Sequence, residues 1–354
     1  MSNSITHIEV CLPSTALTAD LRFFQQVLGF RLDTIMPADD PAVVTLSGHG
    51  LHVRLDRHLA GPAGLLRIVS ATPELVAHGQ RTLTAPGGTR IEIVDAAPTL
   101  VVPPVTPAFL VRRLADNTPW IIGRAGMAYR DLIPGRLGGS IIASHIRIPD
   151  AGPVPDMVHY HLVGFQLIYC YSGWVRLVYE DQGPAFVLAA GDCVIQPPQI
   201  RHRVLEASEN LQVIEIGVPA EHVTTVDHEM TLPNATINPD RDFSGQRFCR
   251  SEATHATWQR NNDGFLVRDT GIAAATQGVA AVEVWRASHG AHRTVNHHVE
   301  IHFSFVLSGR FTLEAAQDTH ALAEGDAFVL PPHMPVQLAA ESDDAAVLVV
   351  RLPA

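Results

Sequence analysis

The sequence predicts a mainly β protein, with two barrel-like units and a smaller α+β unit ahead of them. Three observations carry this. From about residue 118 onward, short apolar runs recur between Gly, Pro and Asp, and few segments hold a helical period. The 354 residues include 26 Gly and 25 Pro, a turn-rich composition of the kind all-β proteins have. A pattern also repeats. Ser172-Gly173, Gly191-Asp192 and Pro197-Pro198 return as Ser308-Gly309, Gly325-Asp326 and Pro331-Pro332, at offsets of 136 and 134 residues. Such conserved spacing within one chain implies two copies of one unit.

The elements follow in order. Residues 6–12 read as a strand and 18–28 as a helix, with Leu21, Phe24, Val27 and Leu28 on one face, Thr18 able to cap and Gly29 to stop it. Strands are expected over 43–47 and 51–55 about the turn Gly48-His49-Gly50, then over 65–69, with a helix over 73–83 and a strand over 89–94. Residues 1–97 form this first unit. Residues 98–117, with Pro98, Pro103, Pro104 and Pro107, read as a linker. The first barrel takes 118–232, with strands over 141–148, 165–171, 174–179, 185–189, 193–196 and 211–217. A polar stretch begins at Asp227, and 233–263 reads as a second linker. The second barrel takes 264–354, with strands over 279–286, 303–307, 310–314, 327–330 and 345–352.

Composition excludes several functions. All 25 basic residues are Arg, so chemistry that needs a lysine amine is ruled out, including Schiff-base and P-loop mechanisms. The net charge of -11 argues against nucleic acid or an anionic membrane as partner. Cys11, Cys170, Cys193 and Cys249 form no CxxC pair. With no signal peptide and no long apolar run, the cytoplasm is the expected compartment. The 19 His make imidazole the tool for any chemistry.

One constellation stands out. His159-Tyr160-His161 is followed by Gln166 and Gly173, then by Gly191, Pro197 and His202. Alternation along a strand points His159 and His161 to one face, and His202 enters from a neighbouring strand. Three converging imidazoles in a small barrel can hold a divalent first-row metal and leave positions open for substrate or dioxygen. Ile168 and Cys170 share the face of Gln166 and are expected to line the cavity. Tyr160, Tyr169 and Tyr171 should face away and pack. Arg201 and Arg203 flank His202 and read as structural, the charges of Glu180 and Asp181 as solvated in a hairpin turn, and Glu215 as a candidate inward base.

This pattern resembles the cupin superfamily, and residues 118–354 together resemble a bicupin of two jelly-roll barrels. His159, His161, Gly173, Gly191, Pro197 and His202 match the two family motifs by position, with Gly152 one residue from the opening Gly. Gln166 stands at the place of the Glu ligand and Gln199 at the place of a Gly. The resemblance implies a metal held by His159, His161 and His202, with Gln166 as a weak or outer ligand. Without a carboxylate ligand the metal keeps its full charge, which suits an anionic, chelating acid. Three-His cupins of the gentisate-type ring-cleaving and thiol dioxygenases use Fe(II), which is the implied metal; Zn, Mn, Ni or Cu tolerate the same ligands.

The second copy is degenerate. Its ligand positions become Val295, His297, His302 and Val336, with His292, His298, Glu300 and His333 nearby; it reads as a metal-free packing barrel, with His297 and His302 as weak candidates. The first unit, through residues 6–10, Phe23-Phe24 and residues 28–32, looks like the opening of the glyoxalase/bleomycin-resistance (vicinal oxygen chelate) family. His7 and Glu92 fall near that family's ligand places, with His52 as a spare. Its second half is truncated, so it reads as a non-metal structural or binding module. The expectation is a dimeric bicupin dioxygenase of a small oxygen-rich acid, aromatic acids included. Its rivals are a metal-dependent isomerase, lyase or hydrolase, and a non-catalytic small-molecule binder.

Overall fold

The computed structural model describes residues 5–116, 119–315 and 318–353. The chain forms two compact units, Met1–Thr99 and Leu100–Ala354. No helix among the described residues is long and apolar enough to cross a membrane.

In the first unit, Glu9–Pro13, the helix Leu17–Gln26, Arg31–Met36, Val43–Gly48 and Leu51–Asp56 make one βαβββ module. Glu9–Pro13 lies parallel to Leu51–Asp56, which continues antiparallel to Val43–Gly48 and Arg31–Met36. The helix buries Leu17 and Phe24 against Leu46, Val53 and Leu55. Thr18 does not cap it: the cap position is Ala16, with no side-chain bond. The first turn instead carries buried Asp20, whose carboxylate accepts from the Ser14 hydroxyl at 2.5 Å and the Gly87 N–H at 2.7 Å. A carboxylate there also suits the helix dipole. Gly29 takes φ +74° and ends the helix, as expected.

A second sheet joins Leu65–Ser70, parallel, and Thr82–Thr84, antiparallel, to Arg90–Asp95. The helix expected over 73–83 is absent. Pro73 opens only a 3-10 segment, Pro73–Gly79, in which Ala77 and His78 are left-handed, and β-branched Thr82 and Thr84 then pair as strand. His7 stacks on His52 at 4.5 Å and approaches Glu9 at 3.4 Å, while Glu92 faces Arg90 in the other sheet.

The larger unit holds two β-barrels. The first stacks a sheet ordered Cys249–Ser251, Cys193–Ile195, Phe165–Ser172, Leu211–Val218, Ile142–Ile148, Ala128–Asp131 and Ile121–Ile122. Facing it are Phe186–Ala189, Trp174–Tyr179, His202–Ala207, His159–His161 and Thr224–Val226. In the second barrel, Gln259–Arg260, Phe265–Asp269, Ala281–Ala287, Ala345–Leu352, Ile301–Ser308, Ala327–Leu330 and Leu110–Arg112 face His292–Val295, Val336–Ala340, Arg310–Ala315 and Asp318–Ala323. Between the barrels Phe165, Leu167, Tyr169 and Ile216 pack on Phe303, Phe305, Val329 and Leu348.

The two segments read as linkers are structural. Leu110–Arg112 pairs with Ala327–Val329, so a strand ahead of the first barrel completes the second. Cys249–Ser251 pairs with Cys193–Ile195, so a strand after the first barrel's own set completes the first. Each added arm is held by the Asp of a repeated Gly-Asp pair. Asp192 accepts from Ala253 N–H at 2.7 Å and Ala189 N–H at 3.0 Å; Asp326 accepts from Leu114 N–H at 2.7 Å and Ala323 N–H at 2.9 Å. Glu180 and Asp181, expected in solvent, are buried and both accept from Arg241, at 2.7 and 2.8 Å. They tie residues 233–263 to the first barrel, where Phe243 and Phe248 also pack.

Candidate metal centre

The short strand His159–His161 lies between His202–Ala207 and Thr224–Val226. His159 is directly opposite His202, and His161 opposite Thr224, so strand alternation delivers three imidazoles to the barrel interior. All three rings are buried, with centroids 4.2 to 5.2 Å apart. They can each offer one nitrogen so that these atoms lie within 4.8 Å of one another.

The Nδ1 side of each ring is occupied. His159 Nδ1 donates to the Met157 carbonyl at 2.7 Å and His202 Nδ1 to the Ile200 carbonyl at 3.0 Å, while His161 Nδ1 meets the Thr224 hydroxyl at 2.8 Å. A carbonyl can only accept, so His159 and His202 carry their proton on Nδ1 and keep the Nε2 lone pair. His159 Nε2 is buried without a partner. Burial, with the other His rings as the next cause, holds His202 far below the ordinary imidazole value and His161 down to about 2. Burial and Arg124 lower His159. The rings are therefore neutral, as metal ligation requires.

Gln166, the expected fourth donor, lies on the strand Phe165–Ser172. Its Nε2 donates to Glu215 at 2.6 Å, and its carbonyl oxygen is buried without a partner. Three neutral imidazoles and one orphaned amide oxygen fit a divalent first-row metal. Beside them is a cavity of about 470 Å³, walled by Ile146, Ile168, Val213 and neighbours, with Arg124, Tyr129, Glu215, Glu221 and His222 among its polar groups; the His222 ring lies 5.5 Å from that of His161. Burial and Glu215 push the Tyr129 phenol up to about 12, so it stays a hydrogen-bond donor. Arg124 pairs with buried Asp156, which lies 3.6 Å from His159 Nδ1 and accepts from Val204 N–H at 2.9 Å.

Ile168 lines the cavity as expected, and Glu215 points inward. Cys170 does not line it. Its thiol sits in the apolar core beside Val175, Leu188 and Val213 and donates to the Gly173 carbonyl at 3.6 Å. Burial pushes it up to about 12. The strand slips register after Cys170, and these neighbours fill the space under it. Tyr160 faces outward, with Arg201 stacked over its ring at 4.3 Å and bonded to Asp227. Gln199 holds a left-handed φ of +62°, where a Gly would be relaxed, and its N–H donates to the His161 carbonyl at 3.1 Å.

Sequence reasoning missed Arg124, Tyr129, Asp156, His222 and Thr224. Alternation does show in Met127 and Tyr129 and in Ile142, Ser144, Ile146 and Ile148, all of which line the cavity. Nothing in the sequence ties Thr224 to His161 before the strands are paired.

Comparison with known proteins reaches the same architecture. The family model described as Cupin domain matches residues 284–351, within the second barrel. The larger unit has the cupin fold. Salicylate 1,2-dioxygenase of Pseudaminobacter salicylatoxidans is similar over 72% of this chain and 86% of its own, at 13% identity and a TM-score of 0.54. A variant of Bacillus subtilis oxalate decarboxylase is similar over 72% and 78%, at 13% identity and 0.52. Protein Ylba from E. coli is similar over 72% and 94%, at 14% identity and 0.50. No curated protein sequence matches. At these identities the likeness is one of fold, and two cupin barrels host many chemistries. The family match falls on the barrel whose ligand positions are degenerate, so the model recognises the framework of strands and turns there.

Proposed function

We propose that the first cupin barrel is a divalent-metal centre held by His159, His161 and His202, with Gln166 as a fourth, neutral donor. On this reading the chain is an Fe(II)-dependent dioxygenase of a small, oxygen-rich carboxylic acid. The observation that carries it is the orientation of the rings: each Nδ1 is tied to the protein, and the other edge of each ring is left for a common guest. Fixing the ligand tautomer through an outer partner is how metal-binding His are held.

When bound, Fe(II) would supply one coordination sphere in which the acid and dioxygen meet. The chain does the rest. Ile146, Ile168 and Val213 give the acid's carbon skeleton an apolar wall, and the donor set itself adds no negative charge, which suits an anionic acid. Arg124 offers a guanidinium at the cavity wall for the acid's carboxylate. Tyr129 donates from its phenol. Glu215, with one oxygen bonded to Gln166, has a second oxygen with which to take or return a proton.

Glu215 also favours a second reading, a non-oxidative lyase or isomerase in which a bound metal would supply Lewis acidity and Glu215 would move the proton. Metal content of anaerobically purified protein and of His161→Ala, followed by an oxygen-consumption screen over hydroxy- and keto-acids, separates the two. About one Fe per chain, lost in the variant, with oxygen uptake supports the dioxygenase. Turnover without oxygen uptake supports the second reading. Metal retained by the variant overturns both.

A further inference from the structure

The second barrel repeats the strands that carry the metal centre, though it has no counterpart of Thr224–Val226 among the described residues, and this lets its residues be laid on those of the first. The positions of His159, His161, Gln166 and His202 become Val295, His297, His302 and Val336. The strand opposite changes as well. In the first barrel Gln166 pairs across to Gly217; in the second, His302 pairs across to Arg351. Two imidazoles have gone, and a guanidinium stands where the first barrel has a glycine.

His297, His302 and Arg351 line a cavity of about 370 Å³. His297 and His302 are more than nine-tenths buried, with ring centroids 4.7 Å apart. Both ring nitrogens of His297, Nδ1 of His302 and Nε of Arg351 are buried without a partner. The His297 ring runs close to the Val299 and Leu330 backbone without the geometry of a hydrogen bond. An orphaned buried polar atom is costly, and four around one cavity point to a guest that satisfies them.

The surrounding charges decide its sign. The Arg351 terminal nitrogen bonds Glu283 at 2.5 Å, and the other Glu283 oxygen accepts from the Trp285 indole at 2.7 Å, so this carboxylate is engaged on both sides. Arg293 stacks over Trp285 at 4.4 Å and pairs with Asp263. Among the described residues only the first barrel brings three metal-ligating side chains together. A cation here would sit against Arg351 with two neutral rings to hold it. An oxyanion would meet N–H donors from two imidazoles and a guanidinium.

We infer that the second barrel binds a small carboxylate, held by His297, His302 and Arg351. This stands independently of the metal centre in the first barrel. The test is an NMR titration of the full, metal-loaded chain, labelled with 15N-histidine, with acetate as the probe. His297→Gln and His302→Gln assign the ring signals, and sodium chloride at matched ionic strength is the control.

The expected result is saturable movement of both rings with acetate and none with chloride. Arg351→Lys weakens the response about tenfold, and Arg351→Gln removes it while thermal melting shows a folded chain. If Arg351→Gln fails to fold, Arg351→Lys carries the comparison. No saturable movement, equal movement with chloride, or an unchanged response in Arg351→Lys overturns the inference. So does broadening of these two rings by Mn(II) in His161→Ala, which would make the cavity a metal site.

Discussion

The Gln166 amide nitrogen donates to Glu215 at 2.6 Å, and the carbonyl oxygen of the same amide is buried without a partner. The first fact explains the second. A carboxylate only accepts, so it draws the NH₂ end toward itself and turns the oxygen away, which fixes an otherwise ambiguous amide. Gln166 and Glu215 lie on paired strands, where Gln166 faces Gly217 and Ile168 faces Glu215. The outer residue thereby decides what the inner one offers a metal.

Two replacements of Glu215 separate orientation from proton transfer. Glu215→Gln still presents a carbonyl to the amide, so metal content is expected to stay at the wild-type level while turnover falls about a hundredfold or more, the scale of a lost acid–base group. Glu215→Leu removes the acceptor and is expected to lower metal content too. Metal analysis beside steady-state turnover checks both. Full turnover in Glu215→Gln would remove Glu215 from the chemistry.

Metal binding should also appear as stability. A ligand that binds only the folded state adds about 2.7 kcal/mol at a hundredfold excess over its Kd. The melting temperature is expected to fall on chelation and recover on adding Fe(II) anaerobically. His161→Ala should show neither change, because its ring carries one of three converging nitrogens. A chelation-dependent shift that survives in this variant would place the metal elsewhere.

Asp192 and Asp326 should matter equally, one for each added arm. Each takes one N–H from its own hairpin and one from beside the added strand. Hydrogen bonds to a charged group contribute about 1.5–3 kcal/mol. Asp192→Asn and Asp326→Asn are each expected to lower the urea midpoint, and together to sum, because the two carboxylates share no partner. A null effect in either would show that the arm pairs without its anchor.

Much of this was legible. The repeat marked two barrels, strand alternation pointed His159 and His161 to one face, and the resemblance to cupins added His202 and Gln166; the structure brings the three His together. What stayed hidden depends on long-range pairing. Leu110–Arg112 and Cys249–Ser251 are three-residue strands inside Pro-rich and polar stretches, and they pair only because an open sheet edge distant in sequence accepts them. Glu180 and Asp181 look like a solvated turn until Arg241, far along the chain, folds onto them. Cys170 has the parity of a cavity residue, but the bulge after it and the apolar side chains beneath close that end of the barrel.

The thiols give a direct check on that last point. Cys170 and Cys193 are buried, with burial raising both to about 12, and Cys11 is exposed. Reactivity follows thiolate and access. Native protein at pH 8 is expected to modify first at Cys11, with Cys170 and Cys193 unreactive until the fold opens. Peptide mapping after brief alkylation reads the order. Early labelling of Cys170 would mean that it does reach the cavity.

His145 makes the fold sensitive to acid. Its ring sits between Trp120, Tyr171 and Phe305, where the two barrels meet. Its Nε2 donates to Gln212 at 2.7 Å, while Nδ1 faces the Arg130 guanidinium at 3.4 Å. Burial, then Arg130, lowers it from 6.5 to about 4. The unfolded chain takes up this proton near 6.5 and the folded chain only near 4, so the stabilisation is complete above 6.5 and is lost as pH falls through that window. At 1.36 kcal/mol per unit the loss reaches about 3 kcal/mol. His159, His161 and His202 are held neutral in the same direction, so the measurement compares chelated wild type with chelated His145→Phe, which keeps an aromatic ring and cannot titrate. Urea midpoints between pH 7.5 and 4.5 should fall less steeply in the variant. Equal slopes would show that the buried ring already carries its proton, and that Arg130 turns away to admit it.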